Sequence, residues 1–141
     1  QIHRRVGGDL FEIVPATPYP TDYNACLDQS ADELKRQYRP PLKTHVASMK
    51  QYDVIFLGYP NWWATIPMPV ASFLEEYDFS GKTIVPFCSH GGGRLGQSTS
   101  AIAKLCPKAT ILDALSIHYD GGTTLQNDIT TWLRKIGIKA R

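Results

Sequence analysis

The chain has 141 residues, of which 43% are apolar and 20% charged, and its formal net charge is +2. A chain of that length buries roughly two thirds of its unfolded surface, enough for one core but not two, so residues 1–141 are expected to form a single domain. The near-neutral, mixed charge excludes the basic face of a nucleic-acid binder, and no apolar run reaches the roughly 18 residues of a membrane span.

In chain order, Ile2, Val6 and then Gly7-Gly8 have the pattern of the last turn of a helix and its glycine cap. A helix that starts in its last turn is not a stable unit. The expectation is therefore an upstream strand and most of a helix that this sequence does not contain. Leu10–Val14 reads as a strand. A helix follows from about Asp22 to Tyr38, with Leu27, Ala31, Leu34 and Tyr38 on one face and Pro40-Pro41 forbidding continuation. Val54–Leu57 is the next strand. Pro69 suits the first turn of a helix whose stripe is Val70, Phe73, Leu74 and Tyr77.

Thr83–Cys88 is the next strand. Pro86 removes a ladder donor, so a bulge or an early end is expected near it. A helix from about Leu95 to Leu105 turns Ala101, Ile102 and Leu105 inward. Thr110–Leu112 is a strand that extends toward Ile117. Last comes a helix with Leu125, Ile129, Trp132, Leu133 and Ile136 on one face, capped by Thr123 or Thr124 and stopped by Gly137. The strand segments are near-continuously apolar, which suits burial on both faces. Alternation of such strands with helices predicts an α/β fold, a doubly wound parallel sheet with helices on both sides.

The three cysteines, Cys26, Cys88 and Cys106, form no C-x-x-C pair, so neither a disulfide framework nor a zinc site is indicated. Free thiols in a reduced cytoplasm are the expectation, and no basic-then-apolar leader precedes the first helix. His3, His45, His90 and His118 have no partner at metal-ligand spacing. No G-x-S-x-G elbow surrounds Ser89, and Cys88 reads as a small core residue.

Ligands of an open parallel sheet bind beyond the carboxyl ends of its strands, and two segments fall there. Gly58-Tyr59-Pro60-Asn61-Trp62-Trp63 carries adjacent indoles on a proline-stiffened loop, a stacking platform for a planar ligand. The same tryptophans could instead cover the sheet or fill a dimer interface. Cys88-Ser89-His90-Gly91-Gly92-Gly93-Arg94 follows the next strand. Its glycines let backbone N–H groups approach a ligand closely, and His90 could donate to a ligand carbonyl. Gly91, Gly93 and Gly96 also satisfy G-x-G-x-x-G, with Asp113 about twenty residues on, the spacing of a dinucleotide-binding fingerprint. Against that stand the interposed Ser89 and His90 and the motif's late position in the chain.

Taken together, Gly58-Tyr59-Pro60-Asn61-Trp62-Trp63, Ile66-Pro67-Met68-Pro69-Val70, Phe73-Leu74-Glu75, Phe79-Ser80-Gly81-Lys82 and Phe87-Cys88-Ser89-His90-Gly91-Gly92-Gly93 resemble the flavodoxin-like family, and more narrowly a bacterial flavodoxin subgroup. The resemblance runs from about Leu10 to Gly137. It implies a five-stranded parallel sheet in the order 2-1-3-4-5 and FMN as the bound cofactor. Pro60, Asn61, Trp62 and Trp63 would then flank the isoalloxazine ring, with Trp62 or Trp63 stacked on it. Ser89, His90, Gly91, Gly92 and Gly93 would reach its pyrimidine edge. The implied activity is electron transfer or flavin-dependent reduction, without a catalytic side chain, toward a redox partner protein or a small electron acceptor.

The family's Ser/Thr- and Gly-rich phosphate loop, which follows its first and central strand, has no counterpart in this sequence. The strands read above therefore correspond to the second to fifth, with the first missing from this chain, and flavin binding is expected to be impaired or lost. Either Leu10–Val14 pairs directly with Val54–Leu57, or a second copy covers the gap, or the natural protein has residues that this sequence lacks. A homodimer is the expected consequence. The alternative is a non-catalytic dimerising or protein-binding domain on the same scaffold.

Overall fold

Val54–Pro60 (β1) and Thr83–His90 (β2) pair in parallel along their whole length, from Val54 opposite Thr83 to Pro60 opposite Ser89. They make the longest strand pairing of the computed structural model, which describes residues 1–139. On the other side of β2 lie Thr110–Ile111 (β3) and Leu115–His118 (β4), both parallel to it. These two short strands behave as one interrupted strand, so the order across the sheet is β1, β2, then β3 and β4. That all-parallel order matches the 3-4-5 part of the expected sheet.

Among the described residues five α-helices flank it: α1 (Ile2–Val6), α2 (Tyr23–Arg36), α3 (Met68–Glu76), α4 (Ser98–Leu105) and α5 (Leu125–Ile136). The strand residues alternate between two cores, as a period of two requires. Leu57, Tyr59, Ile84 and Cys88 face Phe73, Leu74 and Ile102 of α3 and α4, with Leu34 of α2 behind them. Val85 and Leu115 face Ile129, Trp132 and Leu133 of α5, with Val6 of α1 beside them. The buried Trp132 satisfies its indole N–H on the Asp113 carbonyl at 2.8 Å.

Local chemistry explains the helix ends. Asp22 caps α2, accepting from the Ala25 N–H at 2.9 Å, and Gln37 closes it in the left-handed region at φ 51°. Pro69 sits in the first turn of α3. Gly137, at φ 78°, stops α5. The expected start of α4 at Leu95 moves to Ser98, because Gly96 takes φ 53° and breaks the helix.

Two expectations are corrected. Leu10–Val14 is not a strand and does not pair with Val54–Leu57. Its end turns instead to the chain after Pro41: the Lys43 N–H donates to the Val14 carbonyl at 2.7 Å, and Pro15 bridges Leu42. Leu10 is left 78% exposed. The second correction concerns Pro86. It sits in the middle of an unbroken β2, opposite Leu57, with no bulge and no early end. The interruption falls on the neighbour, between Ile111 and Leu115, at the level of Val85 and Pro86. A residue without an N–H cannot hold a partner strand there, so the partner breaks and β2 continues.

Candidate functional site

Three loops meet beyond the carboxyl ends of the sheet. The first leaves β1 at Pro60, which is the last residue of the strand rather than part of the loop. The Asn61 N–H then donates to the Ser89 carbonyl at 2.8 Å, extending the ladder by one bond. Trp62 and Thr65 exchange backbone bonds of 3.1 Å in both directions around Trp63-Ala64. Both central residues have positive φ, 54° and 62°. That is the twist of a tight hairpin turn, made here without glycine or asparagine. Two such residues store backbone strain on the order of 1–3 kcal/mol each, a feature that clusters at ligand sites.

The turn splays the two indoles. Trp62 packs edge-on against Tyr19, ring centres 5.1 Å apart. Trp63 lies toward α2, its indole N–H on the Ser30 hydroxyl at 2.9 Å, and stays 49% exposed. Tyr19 in turn donates to the buried Glu33 carboxylate at 2.5 Å. Burial, and then this bond to a carboxylate, push the Tyr19 phenol far above its ordinary range.

The second loop leaves β2 at His90, so Ser89 and His90 belong to the strand and Gly91 follows it at once. The interposed residues therefore do not count against the dinucleotide fingerprint. Two other features do: the segment after Gly96 is a turn before α4, and Asp113 sits in the break between β3 and β4, paired with Lys135 at 3.5 Å. Neither arrangement presents a helix terminus and a ribose-binding carboxylate to one ligand.

The glycine segment is tied to the first loop. The Asn61 side-chain amide donates to the Arg94 carbonyl at 2.8 Å, and the Gln97 N–H donates to the Ala64 carbonyl at 2.6 Å. Gly93 is pressed against Asn61: a Cβ there would sit 3.0 Å from the amide nitrogen. At Gly92, with φ 133°, a Cβ would meet nothing within 4 Å, so its backbone faces open space. The Gly92 N–H donates to Nδ1 of His90 at 3.0 Å. Burial, the adjacent His118 and Arg94 hold His90 below the usual histidine range, so the neutral ring makes this bond.

The third loop, after β4, was not singled out from the sequence. The Tyr119 N–H donates to the His90 carbonyl at 2.7 Å, and the Ser89 hydroxyl donates to the Tyr119 carbonyl at 2.9 Å. The Tyr119 ring lies over Gly91, where a Cβ would approach it to 3.3 Å, and is 66% exposed. The Asp120-Gly121-Gly122 turn after an apolar strand was a visible signal. Which strand tip it adjoins was not.

Every sequence-predicted site residue thus lies at one end of the sheet: Pro60 to Trp63 on β1 and its loop, Ser89 to Gly93 on β2 and its loop. At their junction Asn61 Oδ1 is buried and has no hydrogen-bond partner among the described residues. A buried acceptor of this kind calls for an explanation. An isoalloxazine ring, with an N–H and two carbonyls along its pyrimidine edge, fits one lone acceptor beside open glycine backbone. No group of three or more His, Cys, Asp and Glu side chains that could hold a metal occurs among the described residues. None of their helices is long and apolar enough to cross a membrane.

Comparison with known proteins identifies the fold and the family. The chain is similar to a "putative flavoprotein" from Bacteroides eggerthii DSM 20697, at 33% identity and a TM-score of 0.83, covering 98% of this chain and 87% of that one. A second "putative flavoprotein", from Bacteroides uniformis ATCC 8492, is 26% identical with a TM-score of 0.81, covering 94% of this chain and 85% of that one. A flavoprotein from Lactobacillus acidophilus NCFM, solved in complex with FMN, shares the fold at 15% identity and a TM-score of 0.63, over 84% of this chain and 75% of that one. No curated protein matches. The family model described as Flavodoxin matches residues 1–136, and the chain belongs to that family.

Proposed function

We propose that this domain binds FMN by its ring, between the Asn61–Trp63 and Gly91–Gly93 loops, and serves as an electron carrier or flavin-dependent reductase. The observation that carries this reading is Asn61. It lashes the two loops together through Arg94 and leaves a buried acceptor unpartnered where they meet. Bound flavin supplies the redox chemistry, while the protein binds, orients and tunes it.

The chain's own residues divide that work. Gly92 lets the ring edge approach the backbone, and His90 holds the Gly92 N–H in place. Trp62, edge-on to Tyr19, and the exposed Tyr119, over Gly91, are the rings these loops offer. Burial pushes the Cys88 thiol up to about 11 and the Tyr59 phenol up to about 12, so both stay uncharged at neutral pH beneath the site. No side chain is asked to act as acid, base or nucleophile. The exposed Tyr119 side is where a redox partner protein or a small electron acceptor would approach. The three free cysteines support the reducing cytoplasm as the compartment.

Among the described residues no Ser/Thr- and Gly-rich loop follows a strand ahead of β1. The contacts that the Asn61–Trp63 and Gly91–Gly93 loops offer are contacts to the flavin ring. Titration with FMN and with riboflavin, followed by flavin and tryptophan fluorescence, tests this. Saturable quenching with similar affinity for both ligands, weakened at least tenfold by Gly92→Leu, is the expected result. Absence of quenching at millimolar flavin overturns it. If tryptophan emission instead shifts with protein concentration and ignores flavin, the Trp62-Trp63 loop is a protein interface.

A further inference from the structure

Glu33 of α2 is a buried carboxylate, 5% exposed, and it takes part in no ion pair among the described residues. Its oxygens accept from neutral donors: the Tyr19 phenol at 2.5 Å on Oε1, and the Gln29 side-chain amide at 3.2 Å on Oε2. A carboxylate out of water with no cation beside it is costly, and the ring-binding loops make no direct use of it. Pro18 and Pro20 bracket Tyr19 and favour extended backbone there. The Tyr19 ring meets Trp62 edge-on, centres 5.1 Å apart. Trp62, Tyr19 and Glu33 are thus in unbroken contact from the loop after β1 to the inner face of α2.

Each contact has a chemical consequence. Indole and phenol are among the most easily oxidised side-chain groups. A phenol that loses an electron becomes a strong acid, so it yields that electron readily only where a base within hydrogen-bond reach takes its proton. Glu33 Oε1 is such a base. Burial and the bond to Glu33 hold the Tyr19 phenol above its ordinary range, so its proton is in place to be passed.

We propose that Trp62, Tyr19 and Glu33 form a one-electron, proton-coupled relay that carries an oxidising equivalent away from the strand-tip loops. It starts when an oxidising aromatic heterocycle seated on those loops takes one electron from the Trp62 indole. Tyr19 gives one electron to the indole radical cation, its O–H bond breaks, and the proton passes to Oε1 of Glu33. The products are an intact indole, a neutral tyrosyl radical and a neutral carboxylic acid. The positive charge on the indole and the negative charge on Glu33 vanish together, which removes the cost of the buried charge. Tyr19 is half-buried, so a one-electron reductant at the surface can meet it; the electron restores the phenol as Glu33 returns the proton.

Pulse radiolysis tests the relay on the intact chain. The oxidant is the azidyl radical, which attacks indoles ahead of phenols. No flavin is present, so failure here and failure to bind flavin are separate results. Transient absorption follows loss of the indole radical and growth of the tyrosyl radical. The expected result is a first-order phase, independent of protein concentration, that converts one into the other and slows in heavy water. Trp62→Phe and Tyr19→Phe are each expected to cut the amplitude of that phase at least tenfold. Glu33→Gln keeps an acceptor for the phenol but is a far weaker base; it is expected to slow the phase at least tenfold while circular dichroism stays that of the parent. A phase that persists in Tyr19→Phe would place the electron donor elsewhere and overturn the proposal. The parental rate in Glu33→Gln would do the same, leaving Glu33 a structural hydrogen-bond partner. So would a parent chain that lacks the phase or shows no slowing in heavy water, a measurement that decides the matter even where Glu33→Gln fails to fold.

Discussion

The side-chain amide of Asn61 donates to the main-chain carbonyl of Arg94 at 2.8 Å and so joins the tip of β1 to the loop after β2. Its other end, Oδ1, is buried without a partner among the described residues. One residue therefore both holds the site together and leaves it chemically incomplete.

Asn61→Ala removes the tie and the lone acceptor at once. Losing one such bond costs about 1 kcal/mol of stability, to be read as a lower urea midpoint at unchanged slope. If Oδ1 receives the flavin N–H, flavin affinity falls about tenfold, since roughly 1.4 kcal/mol is a factor of ten. Asn61→Asp loses the donor as well and sets a carboxylate against the Arg94 carbonyl. It is expected to be the less stable of the two variants.

Gly96 and Gly58 are both closed to a side chain, for different reasons. A Cβ on Gly58 would lie 2.3 Å from the Phe87 ring, and that ring can shift. A Cβ on Gly96 would lie 2.4 Å from the Ala64 carbonyl oxygen, which is backbone and already accepts from Gln97, and the φ of 53° adds strain. Overpacking of this kind costs about 1–3 kcal/mol, and strained backbone adds on the order of 1 kcal/mol. Thermal melts are expected to rank Gly96→Ala well below Gly58→Ala, and both below the parent.

The thiols are distinguished by burial. Cys88 and Cys106 are buried, and desolvation pushes both up to about 11, whereas Cys26 is partly exposed. The thiolate is the reactive form. At pH 8 one thiol per chain is expected to react quickly with a chromogenic disulfide and two only as the protein unfolds. Rapid reaction of all three in the native state would contradict the placement of Cys88 beneath the site.

His90 gives the glycine loop a pH dependence. Its folded-state pKa is depressed by burial, His118 and Arg94, and its neutral Nδ1 accepts from the Gly92 N–H. A depressed value means that the folded state binds the proton less readily than the unfolded one. The stabilisation is therefore complete above the ordinary histidine range of about 6.5 and lost as pH falls through the folded-state value. Acidification is expected to speed amide exchange at Gly91–Gly93 before the rest of the sheet. His90→Asn, whose side-chain carbonyl can accept the same bond without titrating, is expected to flatten that dependence.

The helices were legible because their stripes face one core each. Phe73 and Leu74 of α3 and Ile129, Trp132 and Leu133 of α5 are buried as their spacing predicts, whereas α2 buries Ser30 and Glu33, with Leu27 and Leu34 half-buried and the expected Tyr38 beyond its end and 40% exposed. Gly137 as the stop of α5 is local chemistry and was legible for the same reason, whereas Thr124, at the start of that helix, donates its hydroxyl to Asp128 and caps no backbone N–H. Leu10–Val14 is different. An apolar run states that a segment could be a strand, but a strand exists only where a second edge lies alongside, and here that edge is Leu42 and Lys43 rather than β1. Pro86 makes the same point in reverse: the missing donor was plain, but its effect fell on the neighbouring strand.

Sequence alone determined the class of fold, the two loops at the strand tips and the residue types that suit a flat ring, because each depends on spacing along one segment. Tertiary structure alone decided that Tyr119 joins those loops and that Asn61 is left with a buried unpartnered oxygen. Those are relations between segments far apart in the chain, and they arise only when packing places one backbone edge against another.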